Sequence, residues 1–189
     1  MDSLLRRDGW WTWKEALRGW RPRPNTGALP KDIAFVLVIV FFQTTVLPTI
    51  FGSGGVFDLI TPWIVVSAVR QRPTQATILA MVAAFTLETK LAVPRGIYLC
   101  AYWIMINIFF QIRPALSWRY RTPWIVSYVL SALWIVLFET FVLSFLHDTW
   151  TFSPSFIVQQ ALKVFVATMF GMVLSREWMR IDAEEPVPQ

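Results

Sequence analysis

The sequence predicts an all-α integral membrane protein of six transmembrane helices, and three observations carry that expectation. Of its 189 residues 56% are hydrophobic and the mean hydropathy is +0.51, which is too apolar for an ordinary soluble domain. Apolar segments recur at roughly 32–51, 57–69, 74–93, 96–112, 123–146 and 155–175, divided by Pro30, Pro73, Pro94, Pro114, Pro123 and Pro154. Basic residues fall on alternate turns: fourteen lie on one side of this layout, and only Lys90 and Arg95 on the other. A strand facing lipid would leave backbone groups unpaired, so the segments are read as helices. The positive-inside rule then puts both termini in the cytoplasm, which requires an even number of crossings.

Residues 1–30 form a basic, tryptophan-rich arm. Trp10, Trp13, Leu17 and Trp20 share one helical face, and Lys14 and Arg18 flank it. That pattern suits an interfacial helix lying on anionic lipids. Basic charge with aromatics also suits nucleic acid, but its place beside a membrane anchor favours lipid, so no nucleic-acid partner is expected. The arm lacks the short apolar core and cleavage site of a secretory signal, so the first helix is expected to target the chain.

The domain proper is expected over residues 31–176. Segment one, "DIAFVLVIVFFQTTVLP", is a full-length span, and the glycine loop "FGSGGV" turns the chain back. Segment two, "FDLITPWIVVSAVRQRP", is too short: about 13 residues make roughly 20 Å of helix, against the roughly 20 residues that a bilayer core needs. It must extend through the glycine loop, thin the membrane or have its ends shielded by neighbours. Pro62 falls in its first turn, where proline is tolerated. Asp58 is expected to be the N-cap; the other reading makes it a partner or ligand site at the outer face.

Segment three carries Ala76, Ala80 and Ala84 at intervals of four, a small-residue stripe where another helix can approach closely. That helix is either one of this chain's own or a partner's. Glu88 closes the segment, and Pro94 and Gly96 turn the chain into segment four. Glu88 is expected to pair with Arg95 across that turn. Glu139 in segment five and Lys163 in segment six lie at matched depth, so an intramembrane ion pair is expected. The alternatives are Lys163 snorkelling alone and a proton or ion pathway. Gln43, Asn107, Gln111 and Gln160 are expected to hydrogen-bond between helices. The acidic tail over 177–189 is expected to be disordered.

Few other chemistries fit. Cys100 is the single cysteine, so no internal disulfide forms, and it reads as a small apolar side chain. His147 beside Asp148 lacks the further His or Cys of a metal site. There is no nucleophile elbow, phosphate loop or triad spacing, so no enzyme and no cofactor are expected.

Two stretches resemble MreD, the rod-shape-determining membrane protein family. "DLITPWIVVSAVRQRP" is similar to the family segment in which Asp-Leu opens an apolar run ending in a basic turn. "ETKLAVPRG" is similar to the family's acid followed by a Pro-x-Gly turn, with Glu88, Pro94 and Gly96 at those offsets. Here the acid is glutamate where aspartate is usual, Leu91-Ala92 stands where Ser-Gly is expected, and Arg95 separates the proline from the glycine. With the six-helix layout, the resemblance covers about residues 31–175. It implies a non-enzymatic scaffold of the cell-elongation complex in the bacterial inner membrane, supporting lateral peptidoglycan synthesis and cell shape. It also implies MreC as partner, with RodA, its transpeptidase partner and MreB in the same machinery. The implied fold is similar to the S-components of energy-coupling-factor transporters. A small-molecule-binding transporter subunit of that fold is therefore the alternative, and it would need an enclosed outer pocket with converging polar groups. Against it, the alanine pattern that such subunits carry on their first helix is absent from segment one.

Overall fold

The computed structural model describes residues 29–51, 57–91, 94–116, 118, 120–147 and 153–184, and every secondary-structure element among them is helical. The arm residues Trp10, Trp13, Lys14, Leu17, Arg18 and Trp20 lie outside the described residues. The elements in order are α1 (Leu29–Phe41), a π-helical turn (Phe42–Val46), α2 (Leu47–Phe51), α3 (Ile60–Arg70), α4 (Pro73–Lys90), α5 (Ile97–Ile112), a 3-10 turn (Arg113–Ala115), α6 (Arg121–His147) and α7 (Pro154–Glu184). Among the described residues, three stretches are long and apolar enough to cross a membrane: Leu29–Ile50, Arg121–Leu146 and Pro154–Arg176.

The widened π turn has a local cause. Pro48, one turn further on, offers no N–H and its ring crowds the carbonyl of Thr44, so the regular hydrogen-bond ladder cannot pass through. Hydroxyls back-bond around it: Thr44 Oγ1 donates to the Val40 carbonyl at 2.7 Å, and Thr49 Oγ1 to that of Thr45 at 2.6 Å.

The short segment occupies the centre. Nine of the eleven residues of α3 are buried, and it packs against α1, α4, α5, α6 and α7. A helix that is apolar all round belongs in an interior. Here the interior is protein, so α3 needs neither extension nor a thinned membrane, and the shielding of its ends by neighbours is what the structure shows. Its Ile64, Val65 and Ala68 meet Leu79, Ala83 and Leu87 of α4, Tyr102 and Ile106 of α5, and Trp124 and Ile135 of α6 in one core.

Around this centre the outer helices present apolar side chains outward: Val38 and Phe41 on α1, Phe85 on α4, Leu137, Phe141 and Phe145 on α6, and Val158, Phe165 and Val173 on α7. So many outward apolar side chains suit a membrane protein, since soluble monomers rarely expose apolar patches beyond a few hundred Å².

The last helix runs to Glu184, past the boundary expected at residue 176. The tail sequence "REWMRIDAE" is made mostly of helix-tolerant residues, and the first proline after it is Pro186, so nothing breaks the helix sooner. Only the final residues of the expected tail lie beyond that helix and outside the described residues. α7 docks through Ala167, Gly171 and Ser175, buried at intervals of four. That spacing lets backbones approach closely. A Cβ at Gly171 would lie 2.7 Å from the Tyr128 ring of α6. Gly171→Ala should therefore lower stability by about 1–3 kcal/mol, the usual cost of overpacking. Val173→Ala, at a side chain 70% exposed, should change it little. Thermal unfolding in detergent checks the contrast.

Candidate functional site at the Asp58 end of the bundle

The two ends of the bundle are chemically different. One holds Asp58, Glu88, the Pro94–Gly96 turn and, deeper, Glu139 and Lys163. The other holds Asp32, Arg70, Gln71 and Arg113.

At the first end both motif carboxylates cap helices. Asp58 is 3% exposed and its Oδ1 accepts the Thr61 N–H at 3.0 Å. That is the bond of an N-cap to the third residue of a helix, and Leu59 between them already has helical dihedrals. Gln43 completes the start of α3. Its Oε1 accepts the Leu59 N–H at 2.9 Å, and Gln43 sits in the π turn, which presents it to the neighbouring helix. Pro62, also in the first turn, has no N–H to satisfy.

Glu88 does not pair with Arg95. Its Oε2 accepts the Gly96 N–H at 2.9 Å and its Oε1 the Leu99 N–H at 3.0 Å, while Arg95 is exposed. The physical reason is competition. Free N–H groups at the start of α5 are fixed and point toward a carboxylate arriving from the end of α4, and the helix dipole favours negative charge there. An exposed arginine holds such an ion pair only weakly. Gly96 takes φ +97°, the left-handed backbone that glycine enters without strain. Its carbonyl then opens α5 by accepting the Cys100 N–H at 2.9 Å.

Below the caps, polar groups lie within the core. The Thr61 and Tyr102 hydroxyls are 3.3 Å apart. Tyr98, one turn earlier on α5, has its ring centroid 6.1 Å from that of Tyr102. Glu139 Oε2 meets Lys163 Nζ at 3.3 Å, with side chains 23% and 14% exposed. One polar pair thus joins α3 to α5 and another joins α6 to α7, with Glu139 and Lys163 each roughly 12–14 Å along their helices from the Asp58 end. Tyr98 and Tyr102 carry no charge pattern, so sequence reasoning did not find them. Their spacing of four on one face was the available signal.

The other expected residues fall into place without forming a site. Ala76, Ala80 and Ala84 are buried inside the protein, and Ala80 and Ala84 join the core about α3. Asn107 does not bond between helices: its Nδ2 donates to the Trp103 carbonyl of its own helix at 2.7 Å, and the residue is exposed. A side chain pointing outward finds its nearest acceptor one turn back. Cys100 is exposed. Among the described residues no group of three or more His, Cys, Asp or Glu side chains is placed to hold a metal ion.

The opposite end supplies what sequence reasoning missed. Arg113 Nη1 donates to the Ala68 carbonyl at 3.0 Å and the Gln71 carbonyl at 3.2 Å, the last exposed acceptors of α3. Burial lowers the pKa of its guanidinium from the ordinary arginine value. Gln71 Nε2 donates to Asp32 Oδ2 at 2.8 Å, which ties α1 to the same point. The short helix therefore has an anion at its positive end and a cation at its negative end.

No protein-family model, no curated protein and no solved structure matches the chain.

Two expectations follow from the geometry. Asp58→Ala should cost about 1 kcal/mol, the size of a lost cap, and Asp58→Asn only a fraction of it. Equal losses in a denaturation series would show that capping is not what Asp58 contributes. For the ion pair, Glu139→Gln and Lys163→Met should each destabilise, and the double variant should cost less than their sum by about 0.5–3 kcal/mol. Strict additivity in that cycle would mean the two charges do not interact in solution.

Proposed function

We propose that this chain is an MreD-like membrane scaffold of the cell-elongation machinery, without catalytic activity, that binds MreC and supports lateral peptidoglycan synthesis and cell shape. RodA, its transpeptidase partner and MreB belong to the same proposal as members of the assembly, and anionic lipids as partners of the N-terminal arm. The observation that carries it is the use of both carboxylates at the resemblance positions. Asp58 Oδ1 accepts an N–H that opens α3, with Oδ2 buried and without a partner, and both Glu88 oxygens accept N–H groups that open α5. They shape one end of the bundle instead of converging on a substrate. A transporter subunit would need polar groups directed into an enclosed pocket at that end.

The proposal includes six crossings in the bacterial inner membrane, with the Asp58 end outside and both termini cytoplasmic. Five helical rods surround the buried α3, and the strong basic asymmetry fixes the direction. α5, with 16 residues, makes roughly 24 Å of helix, which suits a crossing with slight local thinning.

Single-cysteine labelling in a Cys100→Ala background should find Arg95→Cys reachable from outside intact cells and Tyr120→Cys only after the inner face is opened. The reverse pattern would invert the orientation. For function, MreC should co-purify with the wild type and with Asp58→Asn, and both should sustain rod shape. Recovery of MreC should fall with Asp58→Ala and Glu88→Ala. If Asp58→Asn inserts, folds and yet loses MreC, the carboxylate charge itself is the functional group and the scaffold account of this residue fails.

A further inference from the structure

α7 lies against the bundle along only part of its length. Toward the Arg113 end Ala167, Gly171 and Ser175 are buried, with Gly171 on the Tyr128 ring. Toward the Asp58 end, from residue 154 to residue 166, no residue of α7 is buried. The side chains of that uncovered half are of two kinds. Val158, Leu162 and Phe165 are apolar and exposed, as a side facing lipid requires. Gln159 and Gln160 stand four and three residues before Lys163 and so share its side of the helix. Gln159 is exposed and Gln160 half-buried. Lys163 and its partner Glu139 keep 14% and 23% of their side chains exposed. The uncovered half of α7 thus has a polar side distinct from its lipid side.

We propose that this polar side of α7 docks one transmembrane helix of a partner protein, and that the partner helix carries an Asn, Gln, Ser or Thr side chain at the level of Gln159. Depth fixes the class of occupant. Gln159 and Lys163 lie roughly 8 and 14 Å along the helix from Pro154. A headgroup layer of about 5–8 Å leaves Gln159 at the edge of the hydrocarbon core and Lys163 inside it. Hydrocarbon gives an amide neither donor nor acceptor, so lipid alone is a poor cover for this side. A partner bathed in lipid reaches that depth only as a helix, which excludes a loop or a soluble domain. The chemistry of the contact follows from the groups present. Each glutamine amide offers two donors and an acceptor, and polar uncharged side chains are the kind that join helices across a bilayer. The Lys163 charge is already met by Glu139 at 3.3 Å, so docking asks for hydrogen bonds and no further charge. The inference rests on the scaffold reading, and it places the partner's membrane anchor against α7.

The test is photocrosslinking of the full chain in intact cells. A photoreactive residue replaces Ser155, one turn above Gln159, or Phe165, on the lipid side. Position 155 should give an adduct whose crosslinked peptide is a transmembrane segment of another protein, with a polar side chain within one turn of the crosslink. Position 165 should give phospholipid adducts alone. Gln159→Leu combined with Gln160→Leu should lower the adduct at position 155 about tenfold, the equivalent of roughly 1.4 kcal/mol for two interhelical hydrogen bonds. The same double variant should unfold in detergent at the wild-type temperature, because these amides do not hold the bundle itself. A phospholipid adduct alone at position 155, an adduct to a second copy of this chain or to a segment outside the membrane, or an undiminished adduct in the double variant would each overturn the proposal. So would a lowered unfolding temperature, which would mean that the amides bond within the chain. A captured helix that belongs to a protein other than MreC would leave this surface standing and overturn only the MreC reading, so the two fail separately.

Discussion

The architecture depends on one constraint: a helix of eleven residues placed inside a membrane protein must have the backbone groups at both of its ends satisfied by protein. A full-length span leaves its terminal N–H and C=O groups in water or among headgroups. In α3, nine of whose eleven residues are buried, protein groups meet them instead. Leaving such groups unpaired in an apolar interior costs several kcal/mol each. Asp58 and Gln43 meet the first turn, and Arg113 meets the last carbonyls. The charges are also placed with the right sign for the helix dipole. These contacts come from the π turn after α1, from the segment that opens α3 and from the turn after α5, so capping the central helix fixes where its neighbours stand.

Once α3 is held, the other elements arrange by complementarity. α4 turns its small alanines inward, where they allow close packing beside α3, and α7 closes on α6 through Gly171 against the Tyr128 ring. Large apolar side chains are left for the outside, where lipid takes them. Thr61 with Tyr102 joins α3 to α5, and Glu139 with Lys163 joins α6 to α7. Each of these carboxylates and Lys163 finds an opposite charge or a backbone donor, which is the condition for carrying charge inside a membrane domain. Among the described residues, the end that carries Asp58 and Glu88 is thus formed from two capped helix starts and the Pro94–Gly96 turn.

Much of this was legible in the sequence where the information is local. The aspartate three residues before Thr61, with proline in the first turn, reads as a helix start and lies at one. The depths of Glu139 and Lys163 follow from counting residues along two apolar runs, and those side chains meet. Glu88 shows the limit of such reading. An arginine seven residues away looked like its partner, but the folded chain offers fixed N–H groups nearer and better aligned. Arg113 was not legible at all, because its acceptor at Ala68 lies 45 residues earlier and becomes a partner only after the bundle has closed. Gly171 was missed for a related reason: its requirement is the face of a ring on another helix. The central position of α3 could be posed as a question from its length, but only its neighbours supply the answer.

The most direct test is residue-level hydrogen exchange on the purified, lipid-embedded protein, read at the Leu59 and Thr61 amides. First-turn amides of a helix normally lack intrahelical partners and exchange early, within the low-stability range of local fraying. The account predicts that these two exchange as slowly as amides in the middle of α5, because Gln43 and Asp58 hold them. Exchange at the rate of the connecting loops would contradict it, and would mean that α3 is not the held centre of the fold.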